Sequence, residues 1–402
     1  MFTIGQTERQ PRIEWLQLLA MLGLMIVSVL FIYSATEARA TGSIPWHKEL
    51  FVRQMFWCVS GVSAAIVVCF LDYRSLSRWS MIGYWLMIVL LIAVLIPGLG
   101  TMRGGARRWF DFGVFLFQPS EFAKLAFIFA FGNFLSRPVE ELRAPAIFFK
   151  ALGLIGLPFV LIMKEPDLGS ALIFIPTGLL MMLVAGVPRR FLVRSISIVS
   201  VLAALFLVDV LFAPPGWWSV RLEEYQRQRL LVYFGKDFAP ANATPAEKRK
   251  ALELQKDKSH QSRQALISVG SGGLTGKGWC EGQQLSLGFL PPGAAHTDFI
   301  FSVIAEEKGF MGSVIVIGLY SVLLFTGIRV AGQARDRLGK LLAVGVVTML
   351  FSHIFINIGM NIRLMPVTGV PLPLLSYGGS SVLCSLIAIG ILQNIYLYRR
   401  SY

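Results

Sequence analysis

His296, Thr297 and Asp298 stand where a long polar stretch gives way to an apolar one, in the run LPPGAAHTDFIFSVIAEEKG from Leu290 to Gly309. An aspartate at such a border is partly desolvated. A partly desolvated carboxylate within reach of a substrate hydroxyl is a common form of general base. A second reading competes, because Thr or Asp just before an apolar run is also an ordinary helix N-cap. These residues alone leave both readings open.

Four other places carry polarity that an apolar chain does not need. Residues 101–111, TMRGGARRWFD, set Arg103, Arg107 and Arg108 beside Trp109. Arginine forks suit a diphosphate, and ordinary solvated loop arginines are the alternative. In QPSEFAK, Pro119 suits a first helical turn, and Glu121 and Lys124, three apart, share a helix face. Ionisable groups at the edge of a span suggest function, although a snorkelling lysine paired with a glutamate would also fit. Lys164-Glu165-Pro166-Asp167 is a tight turn whose carboxylates read as solvated caps. From Arg363 to Ser381, Pro366, Pro371 and Pro373 exclude a continuous helix. Apolar, non-helical backbone at a membrane has to be buried in protein or line a cavity.

The elements that position these residues are membrane spans. The chain of 402 residues is 55% hydrophobic and 15% charged, with a mean hydropathy of +0.65, which excludes a soluble domain. Apolar runs long enough to cross fall at about 15–35, 51–71, 80–97, 119–136, 146–163, 168–187, 191–212, 299–328, 341–361 and 378–398. The expected fold is therefore an all-α polytopic membrane protein of about ten transmembrane helices. The first run follows Arg9, Arg12 and Glu14 without a small-residue cleavage site, so it reads as a span and not a signal peptide. The net charge of +14 reflects loop Lys and Arg; an anionic substrate or lipid headgroup is a further reason for it. No aromatic-basic module suggests nucleic acid. The four cysteines lack metal or disulfide spacing.

Lys and Arg in the short loops favour the side that holds both termini, which is then cytoplasmic. Residues 213–298 become one long outer loop, with interfacial Trp217 and Trp218, an amphipathic stretch from Val220 to Phe234 and a mobile insert at 235–259. The run GSGGLTGKG at 270–278 departs from a phosphate loop, since Ser271 takes the place of the first Gly and Gly278 follows the Lys. Its glycines suit tight turns and close backbone approach to a ligand or the bilayer. All four polar places and Asp298 fall on the outer side, which points to one external site.

RRWFDFGVFLFQPSEFAKL, EPDLGSAL, GSGGLTGKGW, HTDFIFSVIAEEKG and PVTGVPLPLLSYGGSS together resemble the SEDS (shape, elongation, division and sporulation) proteins. The likeness runs from about residue 15 to 398, with the motifs in order, and it favours the elongation (RodA-like) branch over the division (FtsW-like) one. It implies a single domain over residues 1–402. The implied activity is that of an inner-membrane peptidoglycan glycosyltransferase, which polymerises lipid II on the outer face for cell-wall elongation and cell shape. The implied partner is a class B penicillin-binding protein that crosslinks the strands. By motif, Asp298 matches the family's essential aspartate and Lys124 a functionally sensitive lysine, with Glu121 beside it. Asp298 would take the proton of the acceptor hydroxyl. Arg107, Arg108, Lys124, Arg363 or a divalent cation (Mg or Mn) would balance the leaving diphosphate, and His296 would line the site. Leu116 stands where many relatives have a basic residue, and Pro292 to Ala295 interrupt the approach to the His-Thr-Asp motif. A lipid II flippase and a non-catalytic scaffold for the penicillin-binding protein are the alternatives. An ion-coupled transporter is disfavoured, because no inverted repeat is evident and mid-span ionisable groups are few.

Overall fold

The structure, a computed structural model, describes residues 13–37, 49–103, 106–113, 115–212, 230–235, 260–290 and 292–400. Trp217, Trp218 and the insert at 235–259, apart from Gly235, lie outside the described residues. So does most of the amphipathic stretch at 220–234, of which 230–234 form a helical turn, α10.

Helices occupy all ten expected spans. They are α1 (Trp15–Glu37), α2 (Leu50–Phe70), α4 (Ser80–Leu95), α5 (Pro119–Leu135), α7 (Pro145–Lys164), α8 (Leu168–Ala185), α9 (Arg189–Phe212), α14 (Ile300–Gln333), α15 (Arg337–Asn361) and α16 (Gly379–Leu397). Among the described residues eight are long and apolar enough to cross a membrane. The shorter two are α4, of 16 residues, and α5, of 17. Short helices α3 (Tyr73–Arg78), α6 (Val139–Leu142), α11 (260–271), α12 (Gln283–Ser286) and α13 (Pro292–Ala295) fill the connections. The molecule is an all-α polytopic membrane protein.

Burial divides the spans. α5, α15 and α16 are enclosed on nearly every face, whereas α9 shows most of its apolar surface to its surroundings. α16 packs along α2, α15 against α8 and α14, and α1 against α14. The first and last helices meet where Glu14 N–H donates to Gln393 Oε1 at 3.2 Å. At that same end Arg74 Nε donates to Asp336 at 2.9 Å. All the polar places singled out above lie at the opposite end.

Two expectations change. Residues 101–103 and 106–111 are not an open loop but part of a small antiparallel sheet, β1 (Thr101–Arg103), β2 (Ala106–Asp111) and β3 (Leu116–Phe117). The eighth span is not continuous. Gly309, at φ 64° and ψ −157°, splits α14 into a buried half-helix at 300–308 and a crossing helix at 310–333. The glycine run at 270–278 makes its close backbone approach to this break. A Cβ on Gly276 would sit 2.1 Å from the Glu307 carbonyl, and one on Gly309 2.4 Å from Gly276 N. Only paired glycines allow the two backbones so close.

Candidate active site

Asp298 sits between the buried half-helix and the non-helical segment after α15. The turn α13, formed by the residues that interrupt the motif, precedes it. Thr297 N–H and Phe299 N–H both donate to the Ala294 carbonyl, at 3.3 and 3.0 Å. The N-cap position of α14 falls on Phe299, one residue past Asp298. The Asp298 main-chain carbonyl accepts the side-chain amides of Asn357 and Asn361, both at 3.1 Å. Asn357 also donates to the Val370 carbonyl at 2.7 Å, and Ser302 Oγ donates to Asn361 Oδ1 at 2.6 Å.

From the other side, Tyr377 N–H donates to the His296 carbonyl at 2.9 Å and Ser376 Oγ donates to the Thr297 carbonyl. The rings of His296 and Tyr377 meet edge-on with centroids 5.6 Å apart. Asp298 Oδ2 faces Gly369, at 3.6 Å from where a Cβ would stand. The proline-rich segment thus does what its composition required: it is buried in protein and walls the aspartate.

Glu121 and Lys124 pair as their spacing predicted, at 2.7 Å, but each is only 2% exposed. Snorkelling is therefore ruled out, and the lysine points into the bundle. Lys124 Nζ also lies 2.7 Å from His353 Nε2, and His353 Nδ1 lies 3.4 Å from the Pro371 carbonyl. An ammonium can only donate, so Nε2 carries the lone pair and Nδ1 the hydrogen, an assignment made from the partners. Pro371 adjoins Val370, and Val370 shares Asn357 with Asp298. Lys124 and Asp298 are therefore ends of one polar chain.

The two carboxylates of the Lys164–Asp167 turn are buried, contrary to the solvated caps expected. Asp167 does cap α8, accepting from Ser170 N–H at 3.2 Å, and it accepts from Gln118 Nε2 at 3.3 Å. Glu165 is 0% exposed, and among the described residues neither carboxyl oxygen has a hydrogen-bond partner. Burial first, and the charge of Asp167 second, push its carboxyl up to about 9, while Arg108 acts in the opposite sense. Arg108 braces this turn. Its Nε donates to the Glu165 carbonyl at 3.0 Å, its Nη2 to the Pro166 carbonyl, and its Nη1 lies 3.9 Å from Asp167. These contacts engage all three guanidinium nitrogens at the turn. Arg107, next along β2, faces the other way by strand alternation and is half-buried. Arg363 is exposed at the end of α15, with φ 59°. The side chain of Arg103 lies outside what the structure describes.

The turn also touches the wall of the site. A Cβ on Gly169 would lie 2.1 Å from Val370 Cγ2, so α8 starts directly against the segment beside Asp298. Gln118 N–H donates to Ser380 Oγ at 3.1 Å, which ties the start of α5 to that of α16.

Sequence reasoning passed over the polar residues inside apolar runs. His353, Asn357 and Asn361 recur every four residues, and that spacing was the available signal. Glu306 and Glu307 were likewise passed over. Glu306 Oε1 accepts from Lys277 Nζ at 2.6 Å and from Gln284 N–H at 2.9 Å. Glu307 accepts from Cys280 N–H at 3.2 Å and from Ser34. They pin the half-helix at the end away from Asp298. For a resident metal the donors do not fit. Among the described residues no three His, Cys, Asp or Glu side chains converge, and Glu165 and Asp167 share their turn with the cationic Arg108.

Comparison with known proteins gives this geometry a lineage. The family model of FtsW/RodA/SpoVE cell cycle proteins matches residues 14–401. The peptidoglycan glycosyltransferase MrdB of Escherichia coli K12 is 34% identical over 385 residues, 95% of this chain and 93% of the relative. Stage V sporulation protein E of Bacillus subtilis is 33% identical, covering 98% of this chain and 100% of the relative. Among solved structures, a chain of a peptidoglycan synthase complex that coordinates polymerization and crosslinking superposes with a TM-score of 0.74 at 25% identity. The match covers 97% of this chain and 99% of that one. The rod shape determining protein RodA of Thermus thermophilus gives 0.65 at 26% identity, with 97% and 98% covered. This chain belongs to the FtsW/RodA/SpoVE family of cell cycle proteins.

Proposed function

We propose that this protein is a peptidoglycan glycosyltransferase of the bacterial inner membrane, with both termini cytoplasmic, that polymerises lipid II at the outer face. Relatives at 30–34% identity over most of the chain, MrdB among them, carry that activity in their names. The observation that carries the assignment to a site is that polar groups from separate elements gather around Asp298. The α15 amides, the 369–377 segment and the Lys124 chain all meet there.

In the proposed step the Asp298 carboxylate takes the proton of the acceptor GlcNAc 4-hydroxyl as that oxygen attacks C1 of the donor MurNAc. The C1–O bond to undecaprenyl diphosphate breaks, and the leaving group departs with the bonding pair. A single displacement inverts an α-linked donor to a β-1,4 link without a covalent nucleophile. Arg107 and Arg363 receive the diphosphate, and Lys124 is a fixed positive charge beneath the site, steadied by Glu121. An apolar cavity of about 270 Å³ on the half-helix, lined by Phe301, Phe310, Ile317, Ile358 and Ile362, accepts part of the isoprenoid chain. A class B penicillin-binding protein is the partner that crosslinks the product. The test is to supply lipid II to the purified protein with such a partner whose transpeptidase serine is blocked. Linear β-1,4 glycan and free undecaprenyl diphosphate are expected. Lipid II that crosses vesicle membranes unpolymerised would replace this reading with the flippase.

A further inference from the structure

We propose that Asn357 and Asn361 are positioning residues for the glycosyl transfer, setting where Asp298 stands relative to the 369–371 wall. This rests on Asp298 being the base. Both asparagines are 0% exposed and lie one helical turn apart on α15. Their amides converge on a single main-chain atom, the Asp298 carbonyl. That carbonyl precedes the first helical residue of α14, so the helix ladder does not hold it. Asn357 bonds the Val370 carbonyl with the same amide group and so fixes the distance between the aspartate and its wall. Ser302, one turn into the half-helix, holds the Asn361 amide in orientation through Oδ1. The residue that does the chemistry thus takes its position from a rigid, enclosed helix and not from the loop that carries it. A shift of about 1 Å in a reacting group is enough to cost about 100-fold in rate.

A matched control exists in the same molecule. Asn394 on α16 is also buried, and its amide likewise holds main-chain carbonyls, those of Val68, Cys69 and Leu71, at the far end of the bundle. The experiment measures lipid II polymerisation by the complex with its penicillin-binding partner, per folded molecule, for Asn357→Ala, Asn361→Ala, Asn394→Ala and Asp298→Asn. Ser302→Ala is the milder variant should either α15 substitution fail to fold. For Asn357→Ala and Asn361→Ala, kcat is expected to fall by about 100-fold with KM for lipid II nearly unchanged. Ser302→Ala falls less. Asn394→Ala loses thermal stability but keeps its kcat. If the α15 variants lose no more kcat than Asn394→Ala while Asp298→Asn is inactive, the positioning role is overturned and the base survives. If Asp298→Asn keeps wild-type activity, both fall together.

Discussion

Lys124 Nζ stands 2.7 Å from Glu121 Oε1 with each residue only 2% exposed, so the two charges exist in the bundle only as a pair. Removing one partner strands the other in a medium that cannot solvate it, at a cost of about 3–5 kcal/mol. Lys124→Met and Glu121→Gln should each lower the unfolding temperature substantially. The double variant should recover much of the loss, because no uncompensated charge remains. It should still fail to polymerise lipid II, having lost the positive charge beneath the site. Thermal unfolding in detergent and a polymerisation assay on the same preparations check both statements.

Two neighbouring arginines should behave differently. Arg108 donates to the Glu165 and Pro166 carbonyls, and a charged donor to a buried acceptor is worth about 1.5–3 kcal/mol. Arg108→Ala should therefore lower stability first and activity as a consequence. Arg107→Ala should leave the unfolding temperature near wild type and raise KM for lipid II by about tenfold, the loss of one charge-assisted contact. Equal effects on stability would remove the distinction.

Glu165 gives a pH signature of known sign. An ordinary glutamate loses its proton near 4.5, whereas buried Glu165 holds it to about 9. Between those values the folded protein binds more protons than the unfolded chain, so this group makes stability fall as pH rises through that window. Above about 9 both states are ionised and the slope vanishes. Glu165→Gln abolishes the titration. Its unfolding temperature should decline less than that of wild type from about pH 6 to about pH 8.5, and lie above it at the upper limit. Parallel curves would contradict the buried neutral carboxyl.

The break in α14 predicts a sharp contrast between glycines. Gly276→Ala places a Cβ 2.1 Å from the Glu307 carbonyl at φ +83°, so clash and left-handed strain together should cost on the order of 3 kcal/mol. Gly270→Ala meets nothing within 4 Å and sits in helical backbone, so it should be neutral or slightly stabilising. Denaturation of the two variants side by side decides it.

The spans, the helix break at Pro366–Pro373 and the Glu121–Lys124 pairing were legible because hydropathy, proline and helical spacing are local properties. The burial of that pair was not, since it depends on His353 arriving from another helix. The bracing of the 164–167 turn by Arg108 was hidden because its acceptors there are main-chain carbonyls, which no sequence displays. Asn357 and Asn361 were hidden for the reverse reason. Two amides in a long apolar run barely alter its hydropathy, and what they hold is the backbone of a residue some sixty positions earlier. The break at Gly309 was hidden inside the apolar run 299–328, because what it packs against is the distant backbone around Gly276.

The most direct measurement is polymerisation of lipid II by the purified protein with a class B penicillin-binding protein, comparing wild type with Asp298→Asn at matched assembly of the complex. Loss of the base should abolish glycan strands while lipid II still binds. Strands made at the wild-type rate by Asp298→Asn would contradict the account and move the search for the proton acceptor to another carboxylate of this end, such as Asp167.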